Sequence, residues 1–447
     1  MAVINPFRGT YYNQNIFGDI SKLVAPPYDI VTEAQRNAIL KKEPNNIFAL
    51  ELPSKSLCQE EVKDKYECAA NILRHWLDKK FLISDGSDAI YPYDIQFESD
   101  GKTYVRKGFI CLVRADDWEE KTVLPHEKTF KKVTEERYKL RCATRAQFSQ
   151  IFMIYRHIDN VNVLLENNKQ AIFEIKDKGN VIHRLYRIDD KKVLKQLVEH
   201  FKRVQLYIAD GHHRYTTSIK YRKAMEEQFG KGSYAPYNFT MAYLVDASDP
   251  GLIVLPTHRV LTIPEGIDCE EIEKRLCKYF EMKEIECSYN SEAEVCVKAF
   301  KDSLGDGCSQ GITVMFGKKR HAFLLCPTEK AKQDLLEQVK HKELANLDVV
   351  MLEELVFKRA LGIDTGNLEI GKDIFFVPDS NEAVRNLQHN QILFFMSPTK
   401  VEQVLDVADA GLCMPHKSTY FYPKILTGTI LCLERFQRQQ EDDLEKI

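Results

Sequence analysis

The chain has 447 residues, enough for two or three units that each bury an apolar core. A formal net charge of −3, with 44% hydrophobic and 29% charged residues, means that no overall field draws it to nucleic acid or membrane, so any anion site must be local. The opening Met1-Ala-Val-Ile-Asn-Pro-Phe-Arg-Gly9 lacks the basic start and apolar run of a secretory signal, and no later run reaches membrane-span length. A cytoplasmic protein with no membrane or nucleic-acid partner is expected. The twelve cysteines are scattered without a CxxC pair and read as reduced thiols, mostly in cores.

In chain order, Asn5 to Gly9 and Val24 to Asp29 are irregular, proline-rich turns. Thr32 to Lys42 has the cap and spacing of a short helix, and Val62 to Lys80 repeats Ala69, Ile72, Leu73, Trp76 and Leu77 at helical intervals. Ala89 to Phe97 and Thr103 to Arg114 alternate as strands about Asp100-Gly101, a hairpin signal. An arginine-rich helix is predicted over Glu135 to Arg145, then strands near Ile151 to Tyr155 and Ala171 to Ile175 and a helix from Asp190 to Phe201. Residues 262 to 375 read as alternating helices and strands in a supporting module. Gln391 to Met396 reads as a buried strand, Pro398 to Asp406 as a helix, and Met414 to Lys424 as an aromatic, basic loop that needs a fixed partner. The charged end from Arg435 reads as a solvated tail.

The most informative segment is Ile208-Ala-Asp-Gly-His-His-Arg-Tyr215. The β-type run Val204 to Ala209 stops at Asp210-Gly211, and helical periodicity follows through Phe229, so the chain turns from strand into helix at Gly211. Such a turn sets free backbone N–H groups and the positive end of a helix dipole beside His212, His213 and Arg214, which together suit an anion. Asp210 beside a phosphate suits a magnesium ion or a substrate cation. Basic residues in a first helical turn oppose the dipole, a local penalty that an arriving anion relieves. The second polar cluster is His126-Glu127-Lys128. Glu127 is the best candidate general base, because phosphoryl transfer to a hydroxyl needs a carboxylate to orient it and take its proton. A zinc site is disfavoured, since adjacent His212 and His213 diverge on a helix. Lesser candidates are His258 and Arg259, Arg141 and Arg145, Lys417, Ser418 and Thr419, and near the N-terminus Arg8, Tyr28 and Asp29.

Pro6-Phe7-Arg8-Gly9, Val24-Ala-Pro-Pro-Tyr-Asp29, Leu124-Pro-His-Glu127, Tyr207 to Tyr215, Leu255-Pro-Thr-His-Arg259 and Met414 to Lys424, in this order, resemble the bacterial and archaeal domain-of-unknown-function 1015 family. The pair Leu-Pro-His-Glu and Asp-Gly-His-His-Arg is more distantly similar to the free serine kinases of the ParB/sulfiredoxin-like superfamily. That resemblance implies Glu127 as base, Asp210 as a metal or substrate ligand, His213 in the chemistry, and Gly211, His212 and Arg214 as the phosphate grip. His126, Lys128, Arg145, His258, Arg259 and Lys417 are further phosphate or nucleotide candidates, and Arg8, Tyr28, Asp29, Ser418 and Thr419 substrate candidates. The implied cofactors are Mg2+ and ATP or ADP. The fold expectation is mixed α/β: a ParB/sulfiredoxin-like core over 121–261, an N-terminal α/β module over 1–120, a supporting module over 262–375 and a C-terminal segment over 376–447. The functional expectation is a nucleotide-dependent phosphotransferase acting on a small hydroxyl compound, with L-serine first. A phosphoserine phosphatase using the same grip, and a nucleotide-binding switch of ParB type, are the alternatives.

Overall fold

The structure, a computed structural model, describes residues 1–58, 61–127, 129, 131–232, 235–264, 266, 268–287, 292–306, 310–318 and 321–435. It is mixed α/β, as expected. Local chemistry sets several boundaries. Thr32 and Gln35 form a capping box at the start of α1 (Glu33–Lys42), and the Asp64 carboxylate accepts from the Tyr66 and Glu67 N–H groups to open α2 (Lys65–Asp78). Asp100 and Gly101, at φ of 47° and 71°, make the tight left-handed turn of the hairpin, with Ser99 directly opposite Lys102.

The chain divides into two compact units. The first comprises Met1–Ile253 and the chain from Pro423 onward. At its centre is a nine-stranded sheet. The strands are β1 (Ile4–Asn5), β2 (Tyr91–Ser99), β3 (Lys102–Arg114), β4 (Val123–Leu124), β5 (Ile151–Tyr155), β6 (Gln170–Lys176), β7 (Ile182–Arg187), β8 (Leu206–Asp210) and β9 (Phe239–Asp246). Their order is β4-β8-β5-β9-β3-β2-β7-β6, with β1 paired to β3. Pairs β4/β8 and β5/β9 are parallel and the rest antiparallel. Because β2 and β3 share this sheet with β5, β8 and β9, the expected boundary near residue 120 does not separate two modules.

On one face of the sheet, Phe109, Cys111, Ile151, Met153, Leu206, Ile208, Ala242 and Leu244 form a common core. Val193, Leu194, Leu197 and Phe201 of α4 (Lys191–Phe201) and Tyr215 and Ile219 of α5 (His212–Phe229) close over it. Helix α3 (Lys131–Thr144) packs between α2 and α5. A four-stranded sheet of Leu82–Ser84, Gly9–Tyr12, Leu431–Leu433 and Ala146–Gln147 ties the returning C-terminal segment to the start of the chain.

The second unit, Val254–Tyr422, has its own antiparallel six-stranded sheet. Its strands are β10 (His258–Thr262), β11 (Phe280–Ile285), β12 (Ile312–Phe316), β13 (His321–Pro327), β14 (Ile374–Val377) and β15 (Gln391–Phe395), in the order β11-β13-β12-β15-β10-β14. Its core gathers Val260, Phe300, Met315, Val384, Leu393 and Phe395.

The expectation of reduced cysteines is corrected: Cys58–Cys68 and Cys287–Cys296 are disulfides, with Cα separations of 5.8 and 5.6 Å. Each links an irregular segment to an early turn of the helix that follows, a pairing through space that a search for CxxC spacing passes over. Among the described residues, no helix is long and apolar enough to cross a membrane. Of the charged tail, only Arg435 is among the described residues.

Candidate functional site

The parallel register of β4 and β8 builds the site. Leu206 lies opposite Val123 and Tyr207 opposite Leu124, so both strands run out at the same edge of the sheet. There β4 releases Pro125, His126 and Glu127, and β8 releases Asp210, Gly211 and His212. The β8 ladder with β5 shifts register between Ile208 and Asp210, which re-aims Asp210 as the strand ends. Gly211 then turns the chain at φ 98°, ψ 29°, as the N-cap of α5. A Cβ at that position would stand 2.9 Å from Arg214 Nε, so glycine answers both the positive φ and the guanidinium folded over it. Among the described residues, no side chain caps α5 and no acidic residue occupies its first turn, so the positive end of its dipole is turned toward this corner.

The two upstream residues meet this corner directly. The His126 backbone N–H donates to His212 Nε2 at 3.2 Å, and the two rings stand edge to face with centroids 4.6 Å apart. With Nε2 accepting, the His212 proton belongs on Nδ1, which faces Glu127 Oε2 at 3.8 Å. Burial pulls His126 down to about 4 and His212 well below the ordinary histidine range, the latter helped by the neighbouring His126, so both rings are neutral at pH 7. On the other side, Asp210 Oδ2 lies 3.3 Å from Lys424 Nζ and 3.8 Å from Arg214 Nη2. Burial alone would raise the Asp210 carboxyl, but Lys424 and Arg214 outweigh it and hold the group below the usual carboxylate range. Arg214 Nη1 also donates to the Gln150 carbonyl.

Arg214 connects the corner to a cavity of about 60 Å³ lined by Glu51, Arg137, Gln147, Ser149 and Thr217 among others. Arg137 Nη1 holds Glu51 through its carbonyl at 2.8 Å and its Oε1 at 3.1 Å, and stacks on the Tyr28 ring at 4.3 Å. Burial pushes the Tyr28 hydroxyl up to about 12 despite Arg214 and Arg137 nearby.

Residues 4–350 match the family described as protein of unknown function, DUF1015. The chain belongs to the DUF1015 family. Similar solved structures include a free serine kinase in complex with AMP, at 12% identity and TM-score 0.32, covering 72% of this chain and 92% of that one. SbnI with a C-terminal truncation, from Staphylococcus aureus, has 11% identity and TM-score 0.35, with coverage of 75% and 94%. A conserved hypothetical protein from Pyrococcus furiosus has 14% identity and TM-score 0.31, with coverage of 73% and 96%. At these scores no residue is matched from one chain to another. No curated protein matches this one.

In this DUF1015 chain, then, Glu127, His126, Asp210, Gly211, His212 and Arg214 come together, with His213 partly buried on the same first turn of α5. Tyr28 and Asp29 lie within electrostatic reach of Arg214. Lys128 falls outside the described residues. Arg145, at φ 51°, turns instead to the Tyr221 hydroxyl at 2.8 Å and to Met225. Arg141 is fully engaged with Glu434, Ser218 and the Phe239 carbonyl. Arg8 makes an exposed ion pair with Asp88. His258, Arg259, Lys417, Ser418 and Thr419 belong to the second unit. His258 is a satisfied core residue there: it stacks on Phe395 at 4.0 Å, accepts from the Met396 N–H, bonds Ser380, and is pulled down to about 3 by burial. Arg259 is buried and donates to the carbonyls of Thr257 and Lys417; burial brings it down to about 10. The Ser418 hydroxyl donates to the Pro415 carbonyl.

The carboxylate of Asp210, expected as a metal or substrate ligand, is paired here with Lys424 and Arg214. Among the described residues, no group of three His, Cys, Asp or Glu side chains is placed to hold a metal. Sequence reasoning missed Lys424, Gln150, Glu51 and Arg137. The available signal for Lys424 was its place at the end of an aromatic loop that demanded a partner.

Proposed function

We propose that this protein is a nucleotide-dependent phosphotransferase that phosphorylates a small free hydroxyl compound, with L-serine the first candidate and ATP or ADP the donor. The observation that carries the reading is the approach of Glu127 to 3.8 Å from His212 at the start of α5. A base and an anion-binding helix end thus occupy one corner, though the His126 and His212 that join them are 86 residues apart.

In this reading the phosphate oxygens accept from the first-turn N–H groups of α5, where Gly211 lets the backbone come close. Glu127 takes the proton of the substrate hydroxyl. The oxygen then bonds to the terminal phosphorus as the bond from phosphorus to the bridging oxygen breaks and its electron pair leaves with the nucleotide. Neutral His212 directs its Nδ1–H side toward Glu127 and keeps the base oriented. The donor set around Asp210 does not fit a protein-held Mg2+, and no step above passes through one.

Incubating the full chain with L-serine and ATP or ADP, and quantifying phosphoserine by mass spectrometry, tests the proposal. Product is expected, and Glu127→Gln should lower the rate by roughly 10²- to 10⁴-fold with an unchanged melting temperature. Phosphate release from phosphoserine without nucleotide would replace this reading with hydrolysis. Tight nucleotide binding with no product would replace it with a binding switch.

A further inference from the structure

We propose that Lys424 is a phosphate-contacting residue of this corner, an inference that rests on the phosphotransfer reading and lies outside the span matched to the family. His126 and His212 are neutral through burial, so they offer dipoles rather than positive charge. Arg214 is committed to the Gln150 carbonyl and to Asp210, with its guanidinium folded over Gly211. A nucleotide's phosphates bring two or more negative charges to this place. Lys424 carries a compact charge on a flexible four-carbon stem, 3.3 Å from Asp210 and with its side chain 18% exposed, at the mouth of the corner.

Its delivery is elaborate for a rim ion pair. Lys424 lies 214 residues from Asp210 in sequence, on the segment that returns from the second unit. The preceding carbonyl, of Pro423, accepts from Arg106 Nη2 at 2.8 Å. Arg106 is fully buried, with its guanidinium 4.7 and 5.7 Å from the Phe152 and Tyr243 ring centroids. Downstream, Thr427 bridges to Ala25, the Gly428 N–H donates to the Phe148 carbonyl, and Gln150 Nε2 donates to Thr429. The backbone is therefore held on both sides of Lys424. A partly exposed Lys–Asp pair contributes on the order of 0–1 kcal/mol to stability, too little to account for such anchoring. An ammonium that exchanges Asp210 for a non-bridging phosphate oxygen does account for it. As the bond to the bridging oxygen breaks and that oxygen takes the electron pair, Lys424 offsets the growing charge without giving up a proton.

The test uses the full chain, with ADP and ATP titrated calorimetrically into the wild type, Lys424→Met, Lys424→Arg and Asp210→Asn. Lys424→Met should weaken nucleotide binding by about 10- to 100-fold and lower kcat further, as expected for the loss of one charge-assisted hydrogen bond. Lys424→Arg should recover part of both. Asp210→Asn, which releases the ammonium, should tighten binding several-fold. Unchanged affinity and turnover in Lys424→Met overturn the proposal while phosphotransfer stands. So does Asp210→Asn weakening binding as much as Lys424→Met, since the pair would then be acting as a structural tie. A wild type that neither binds nucleotide nor forms product overturns the phosphotransfer reading and this inference together.

Discussion

His126, His212 and His258 were all candidate ligand-binding residues, and the structure buries each of them as a neutral ring. Their folded-state values lie below the ordinary one, so the unfolded chain binds the proton more tightly than the folded chain does. Stability is therefore complete above about pH 6.5 and falls as pH drops toward the folded values, about 4 for His126. Asp210, held low, adds loss in the same direction below the usual carboxylate value. Urea unfolding should show a decline of about 1.5 kcal/mol from His126 between pH 6.5 and 5, and His126→Asn should flatten that slope. A slope unaffected by the substitution would mean that His126 is not buried neutral. The Arg141–Glu434 pair is the structural counterpart to the site: both side chains are buried, and Tyr221 adds a hydroxyl donor to Glu434 at 2.6 Å. Glu434→Ala leaves Arg141 uncompensated and should destabilise the protein by about 3 kcal/mol, read by denaturant unfolding. Of the lesser arginine candidates, Arg141 is bonded to Glu434 and Arg145 to Tyr221.

Among elements, the junction of β8 and α5 was legible because its signals agree: an apolar β run, Asp-Gly, then helical periodicity. The hairpin at Asp100-Gly101, the capped helices α1 and α2, and the buried strand β15 were legible for the same reason. Strand β9 was not singled out. All eight of its residues are buried between β5 and β3, so it lacks the alternation that marks a half-exposed strand. Gly211→Ala tests the junction itself. A methyl at φ 98° is strained and displaces Arg214, so a loss of about 1–2 kcal/mol is expected, together with reduced nucleotide affinity. Wild-type melting and binding in that variant would show that the turn tolerates a side chain.

At the scale of the whole molecule, the partition into two units has a direct consequence. Residues Val254–Tyr422 form an unbroken stretch with its own antiparallel sheet and core. Expressed alone, they should melt cooperatively by circular dichroism. The first unit is discontinuous, because Leu431–Leu433 completes its four-stranded sheet and Lys424 and Glu434 make their ion pairs within it. Ending the chain after Tyr422 should therefore lower the first unit's stability and abolish nucleotide binding, with the second unit's transition preserved.

From the sequence alone come the mixed α/β class, the strand-to-helix turn at Gly211 and the pairing of Glu127 with His212 and Arg214 as one candidate site. These follow from short-range rules of periodicity, φ preference and helix-end charge, together with the family resemblance. Only the tertiary structure decided that β4 and β8 run parallel, which carries Glu127 to the corner, and that Lys424 faces Asp210. It also decided which arginines are consumed by buried partners and which cysteines join. Each of these depends on the meeting of residues that local patterns do not relate, most of them far apart in the chain.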